Sequence, residues 1–119
     1  NGHKFGDLWQ AASKRNWGQA VGSLFEDNYT ELGPDDVNAG GYVIDTLHAA
    51  LWSLLNTNSF EAAAIKAVNL GDDADTVGAV VGQIAGAVYG YASIPKHLKH
   101  NLVDERKLYV TSQFLCASL

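Results

Sequence analysis

The run Asp72-Asp73-Ala74-Asp75-Thr76 packs three carboxylates and a hydroxyl into five positions, behind Asn69-Leu70-Gly71 and ahead of Val77-Gly78 and a long apolar stretch. Carboxylates this close repel one another unless a cation or a helix N-terminus neutralises them. Ligands that are all oxygen favour a hard divalent ion such as Mg²⁺, Mn²⁺ or Ca²⁺ over zinc. Spacing limits how they could cooperate. Two residues apart on a helix, Asp73 and Asp75 would point about 200° from each other and could not share an ion. In a turn leading into a helix both side chains can converge, and Thr76 at the first helical position can add its hydroxyl. The competing reading is a plain N-cap by Asp73 or Asp75. A cap needs one acidic residue, and three is an excess.

Other polar groupings are weaker. Asp45, His48 and Trp52 share a helix face, so Asp45 and His48 could pair near a ligand or form an ordinary exposed face with an acidic first turn. Tyr42, behind Gly40-Gly41, reads equally as core or as a stacking platform. Asp35-Asp36 after Pro34 most simply opens a turn. Lys96, His97, Lys99 and His100 form a small basic face, expected to be solvated, with phosphate contact as the minor reading. Cys116 has no basic neighbour in sequence, and a buried structural thiol is expected.

The elements that must position these groups read as helices. Phe5, Leu8, Trp9 and Ala12 recur at helical spacing, and Arg15-Asn16-Trp17-Gly18 breaks that helix. Ala20, Val21, Leu24 and Phe25 form a second, short one. Residues 26–41 are polar and turn-rich, and read as a loop. Val43, Leu47, Leu51 and Leu54 predict a helix ended by Asn56-Thr57-Asn58. Ser59 is the expected N-cap of the next, from Phe60 to about Leu70, with Glu61 in its first turn. From about Asp75 to Tyr89, Val77, Val81, Ile84 and Val88 make one stripe, and Gly78, Gly82, Gly86 and Gly90 another. Only Thr76, Gln83 and Tyr89 interrupt its apolar surface, which predicts a buried central helix. The glycines cost roughly 1 kcal/mol each relative to alanine, so close approach by a neighbouring helix is expected in compensation. Pro95 suits the first position of a helix over Lys96 to Leu102, and Asp104 is the expected cap of a last one to about Cys116.

Composition sets the outer limits. At 119 residues the chain is one domain or part of one, and 47% hydrophobic content argues against disorder. A net charge of −5 argues against nucleic acid as a partner, since nonspecific binding needs a basic field. One cysteine leaves no internal disulfide and no cysteine-based zinc site. No N-terminal signal pattern and no uninterrupted apolar run of membrane-spanning length occurs, so neither secretion nor a membrane partner is expected, and a cytoplasmic location is. The chain contains no methionine, so Asn1 is expected to be an internal position of something longer, or the product of cutting.

Taken together, Gly41-Tyr42-Val43-Ile44-Asp45-Thr46-Leu47, Ala49-Ala50-Leu51-Trp52, Ser59-Phe60-Glu61-Ala62-Ala63 and Ala67 through Thr76 resemble the ADP-ribosylglycohydrolase family, including its dinitrogenase-reductase-activating type. Gly82-Gln83-Ile84-Ala85-Gly86-Ala87, Gly90 and Ile94-Pro95 extend the match, which runs from about Trp17 to Leu102. The resemblance implies an all-α orthogonal bundle around two Mg²⁺ or Mn²⁺ ions, with residues 1–119 as a C-terminal fragment of a single domain. It implies hydrolysis of the glycosidic bond between ADP-ribose and a modified acceptor such as ADP-ribosyl-arginine, on a protein or a small conjugate. The family's Gly-Gly-Asp-Thr-Asp-Thr-like metal run falls on Asp73, Asp75 and Thr76, with Asp72 replacing the second glycine and Ala74 the first threonine. Gly41 and Tyr42 are implied to shape the substrate pocket.

The family's N-terminal Gly-Asp and Thr-Asp-Asp-Thr-like segments do not occur here. The resemblance therefore implies that the acid/base carboxylate and the rest of the metal shell come from a missing N-terminal half or a second chain. The fragment alone is expected to be inactive, with metal binding weak or absent. The alternative on the same fold is a non-catalytic ADP-ribose-binding or crystallin-like scaffold, or a helical module that assembles with another chain.

Overall fold

A computed structural model describes residues 2–118, and among them it is all-helical. The elements are α1 (Gly2–Ser13), α2 (Gln19–Gly22), α3 (Val43–Leu55), α4 (Phe60–Val68), α5 (Ala74–Tyr89), α6 (Lys96–His100) and α7 (Glu105–Ala117), with single 3₁₀ turns at Ser23–Phe25, Pro34–Asp36 and Tyr91–Ser93. The break at residues 15–18 and the loop ahead of α3 fall where the sequence places them. No helix among the described residues is long and apolar enough to cross a membrane.

The core is the packing of α3, α4 and α5. Ala49 and Ala50 of α3, Ala63 and Ala67 of α4, and Val77, Val81 and Ala85 of α5 are all fully buried. On α4 and α5 these residues repeat every fourth position, one per turn on a single face. Small side chains there let the helices approach closely, and Leu51, Trp52, Leu54 and Phe60 fill the remaining space. Ser59 caps α4 as expected, its hydroxyl accepting from the Ala62 N–H at 3.2 Å. Such a cap contributes about 1 kcal/mol. Val43, the first member of the α3 stripe, is 69% exposed, so burial begins a turn later than the periodicity suggests.

The loop of residues 26–41 is bound onto this core by buried polar contacts. Trp52 Nε1 donates to the Leu32 carbonyl at 2.9 Å, and Asn56 Nδ2 donates to the Tyr29 carbonyl at 2.8 Å. Tyr29, 4% exposed, donates its hydroxyl to the Leu24 carbonyl.

The periphery corrects several expectations. Helix α5 is central, but among the described residues its glycine ridge meets a neighbour only at Gly78, where an added Cβ would stand 3.1 Å from Val68 Cγ1. Space above Gly82 and Gly86 is open. Ile84 and Val88, half-buried rather than buried, line an open apolar groove of ≈ 450 Å³ with Phe5 and Leu8. Pro95 occupies the N-cap position of α6 instead of its first turn, and α6 ends at His100 rather than Leu102. Asp104 precedes α7 as expected but in the left-handed region (φ 59°), where its side chain makes no cap bond. Helix α7 buries none of its residues, so Cys116 is exposed, not a buried core thiol. The radius of gyration, 15.0 Å, exceeds the roughly 13.5 Å of a close-packed chain of this length, in keeping with a helix that lies off the core.

Candidate metal centre

The acidic run occupies the turn between α4 and α5. Gly71 (φ 77°) and Asp72 (φ 53°) are both left-handed, and together they reverse the chain so that Asp73 stands at the N-cap position of α5. Left-handed backbone is what a glycine at position 72 would serve. Aspartate is among the few other residues that tolerate it, because its short polar side chain bonds locally.

Asp73 does not act as a side-chain cap: its carboxylate makes no hydrogen bond to the first-turn amides of α5. Its backbone N–H instead donates to the Ala39 carbonyl at 3.2 Å, in the loop ahead of α3. That loop is held in turn. The Gly40 N–H donates to Asn38 Oδ1 at 3.0 Å, and Asn38 Nδ2 donates to Asp45 Oδ2 at 2.8 Å. Thr46, 3% exposed, places its hydroxyl 3.2 Å from both the Gly40 and the Tyr42 carbonyls. The Gly40–Gly41 turn consequently lies against the acidic run. A Cβ on Gly41 would fall 3.1 Å from Asp73 Oδ2, tighter than a side chain ordinarily tolerates, and one on Gly40 would fall 3.7 Å from Asp72 Oδ2. Glycine at 41 is therefore a close-approach residue.

The turn lets the two carboxyl groups converge, as a regular helix would not. Interaction with the Asp73 side chain is the largest cause holding the Asp75 carboxyl below the ordinary carboxylate range. The backbone N–H groups of Thr76 and of Asp75 itself act in the same direction. Asp75 and Thr76 are exposed and Asp73 half-buried, so the group is open to solvent on one side. Among the described residues no third carboxylate, histidine or thiol completes a cluster able to enclose a metal ion. The donor atoms brought together here are all hard oxygen.

The other candidates separate. Asp45 and His48 do not pair. Asp45 is taken by Asn38, while His48 Nε2 lies 2.9 Å from Asp27 Oδ2, with its ring against Tyr29. Both partners come from the loop, which sequence spacing along α3 could not reveal. Trp52 is core, with Lys66 Nζ 4.1 Å from its ring centroid. Tyr42 is 61% exposed beside Gly41, which removes the core reading. Asp36 accepts from the Gly33 N–H at 2.8 Å, as a turn-opening residue should. Of the basic face, His97 stands 3.7 Å from Glu61 and Lys99 lies over Tyr91, both near the surface. Asn38 and the Ala39 carbonyl were not among the candidates. The available signal was Asn38 two residues before Gly40, the spacing of an Asx turn.

Comparison with known proteins accords with this arrangement. The chain is 51% identical over 80 residues to an ADP-ribosylarginine hydrolase of Serratia proteamaculans, covering 67% of this chain and 22% of that protein. It is 49% identical over 67 residues to the ADP-ribosylarginine hydrolase of Pseudomonas putida, covering 56% and 18%. To the ADP-ribosyl-[dinitrogen reductase] glycohydrolase of Rhodospirillum rubrum it is 42% identical over 57 residues, covering 48% and 19%. The chain thus spans about a fifth of the length of these relatives. The family model for ADP-ribosylglycohydrolase matches residues 3–117, nearly the whole chain, and the protein belongs to that family.

Proposed function

We propose that this chain supplies one half of a binuclear Mg²⁺ or Mn²⁺ centre in an enzyme that hydrolyses the bond between ADP-ribose and a modified acceptor such as ADP-ribosyl-arginine. The observation that carries this reading is the placement of Asp73 and Asp75 at the start of α5, with the Asp73 carboxylate uncapped and facing the Gly40–Gly41 turn. A pure scaffold has no use for a repelling pair, and Asp73 is not spent on capping its own helix. Asp73, Asp75 and Thr76 are the groups that would hold the ions. Their hard-oxygen chemistry fits Mg²⁺ or Mn²⁺, and their small number fits a shell completed by other residues.

Cleaving the glycosidic bond builds positive charge at the ribose C1, and water adds there as the acceptor leaves. A divalent cation supplies orientation of the ribose hydroxyls and of that water, and lowers the water's pKa. Asp75, exposed and ionised at neutral pH like any aspartate, presents negative charge to a cation. Gly41 brings backbone against Asp73, and the adjacent exposed ring of Tyr42 offers a flat apolar face to the substrate. The carboxylate that moves the proton belongs to the remainder of the enzyme.

Its partners are an ADP-ribosylated protein or a small ADP-ribose conjugate in the cytoplasm, and the remaining part of the domain, whether in the same polypeptide or a second chain. The open ridge at Gly82 and Gly86 supports a further packing partner. The test is Asp75→Ala in the full-length protein. Release of ADP-ribose from ADP-ribosyl-arginine should be abolished with the helical circular dichroism intact. Unchanged turnover removes Asp75 from the site.

A further inference from the structure

We propose that Asn38 is a positioning residue for the metal centre. By bridging Asp45 to the Gly40 amide, it holds the Gly40–Gly41 turn against the Asp73 carboxylate and fixes the direction in which that carboxylate is presented. The proposal rests on the reading of Asp73 as a ligand.

Asp73 is not oriented by a cap bond to the first-turn amides of its own helix, and within that helix its side chain interacts with Asp75. The loop adds two constraints: the Ala39 carbonyl accepts from its N–H, and Gly41 leaves Oδ2 the space that a Cβ there would crowd at 3.1 Å. The loop can orient Asp73 only if it is itself fixed. Asn38 uses both ends of its amide for that purpose. Its oxygen accepts from the Gly40 N–H and its nitrogen donates to Asp45. The partners are of opposite character, one donor and one acceptor, so a single orientation of the amide satisfies both. Asp45 lies in the first turn of α3, whose later turns are buried in the core. The chain of contact therefore runs from a rigid helix through Asn38 and the glycine turn to Asp73. The Thr46 hydroxyl, fixed by burial, braces the same turn from beneath. Asn38 itself is exposed, so its substitution does not open the core.

The test compares the 119-residue chain with Asn38→Asp and with the exchange variant Asn38→Asp/Asp45→Asn. The single change keeps an acceptor for Gly40 but sets two carboxylates face to face. The double change restores a donor opposite the carboxylate, now from position 45. Hα–Hβ couplings of Asp73 read its χ1 rotamer without any metal. The expected result is one rotamer in the wild type, averaging in the single variant and recovery in the double. Hydrogen exchange at the Asp73 amide should quicken about tenfold in the single variant, on the scale of one lost hydrogen bond, while the amides of Val81 and Ala85 hold their rates. A merely structural role would move all of these amides together. With Mn²⁺ added, paramagnetic broadening at Asp73, Asp75 and Thr76 should need about tenfold more metal in the single variant and recover in the double. Rotamer averaging already present in the wild type, an unchanged single variant, or a double variant that does not recover would each overturn the proposal. If the wild type shows no selective broadening, the isolated chain does not hold the ion by itself, and the couplings alone then decide whether Asn38 orients Asp73.

Discussion

The backbone N–H of Asp73 donates to the carbonyl of Ala39 at 3.2 Å, which makes the acidic turn before α5 and the glycine turn before α3 one structural unit. Two segments far apart in sequence are thereby fixed to each other by main chain as well as by packing. Helices α3 and α5 already pack in the core, and this bond registers their N-terminal ends. The chemistry-bearing side chains Asp73, Asp75 and Tyr42 cluster at that end, on a frame set by buried alanines and valines below.

Asp72 should prove a backbone residue rather than a ligand. Its φ of 53° is left-handed, which aspartate tolerates better than most side chains but only glycine adopts without strain, and its carboxylate adds repulsion beside Asp73 and Asp75. Asp72→Gly is expected to stabilise the chain by about 1 kcal/mol, the scale of left-handed strain relieved. The check is the urea midpoint, read with an unchanged m-value. A lower midpoint would show that the Asp72 carboxylate makes a contact worth more than its strain.

The glycines of α5 should divide by what lies above them. Gly82→Ala and Gly86→Ala meet open space and remove helix entropy cost, so each should raise stability of the chain by about 0.5–1 kcal/mol. Gly78→Ala should gain less or lose, since its Cβ must displace Val68. If a helix of the full-length protein packs on the ridge, the first two substitutions should reverse sign there. Stabilisation in both contexts would mean that the ridge stays uncovered. Parallel denaturant titrations of the two proteins decide it.

Tyr29 should give the chain an alkaline limb to its stability. Burial, and then the charge of Asp27, push its phenol well above the ordinary tyrosine value. The unfolded chain releases that proton near pH 10, where the folded chain still holds it. Stability is thus full below about pH 10 and falls as pH rises beyond it. Tyr29→Phe loses the hydroxyl bond to the Leu24 carbonyl, which should cost about 1 kcal/mol at neutral pH. The same variant should flatten the alkaline fall. Urea midpoints at neutral and alkaline pH measure both effects, and an alkaline fall of equal steepness in Tyr29→Phe would assign it to another group.

Much of the helical frame was legible because it follows local rules. The Ser59 cap, the apolar stripe of α3 and the Val77-to-Val88 stripe of α5 all announce themselves within a few positions. The convergence of Asp73 and Asp75 was legible as a possibility, since two carboxylates in a turn can meet where two on a helix cannot. What was not legible depends on contacts across the fold. His48 pairs with Asp27 and Asp45 with Asn38, both across to the loop, so their spacing on α3 misled. The Cys116 thiol was assigned to a core that α7 never joins. The glycine ridge suggested a close neighbour, which is present at Gly78 and absent at Gly82 and Gly86. Periodicity tells which face of a helix is apolar, but not whether another helix of the same chain covers it.

The central claim is that Asp73, Asp75 and Thr76 bind a divalent cation together. The most direct measurement is Mn²⁺ titration of the chain followed by paramagnetic broadening of backbone amides, beside the variant Asp73→Asn/Asp75→Asn. Selective broadening should spread from the first turn of α5 and from Gly40–Gly41 across the turn, at modest affinity, and vanish in the variant while the helical spectrum persists. Broadening that is equal in both proteins, or centred on other acidic residues such as Asp35 and Asp36, would contradict the account and return the acidic run to the role of an ordinary helix start.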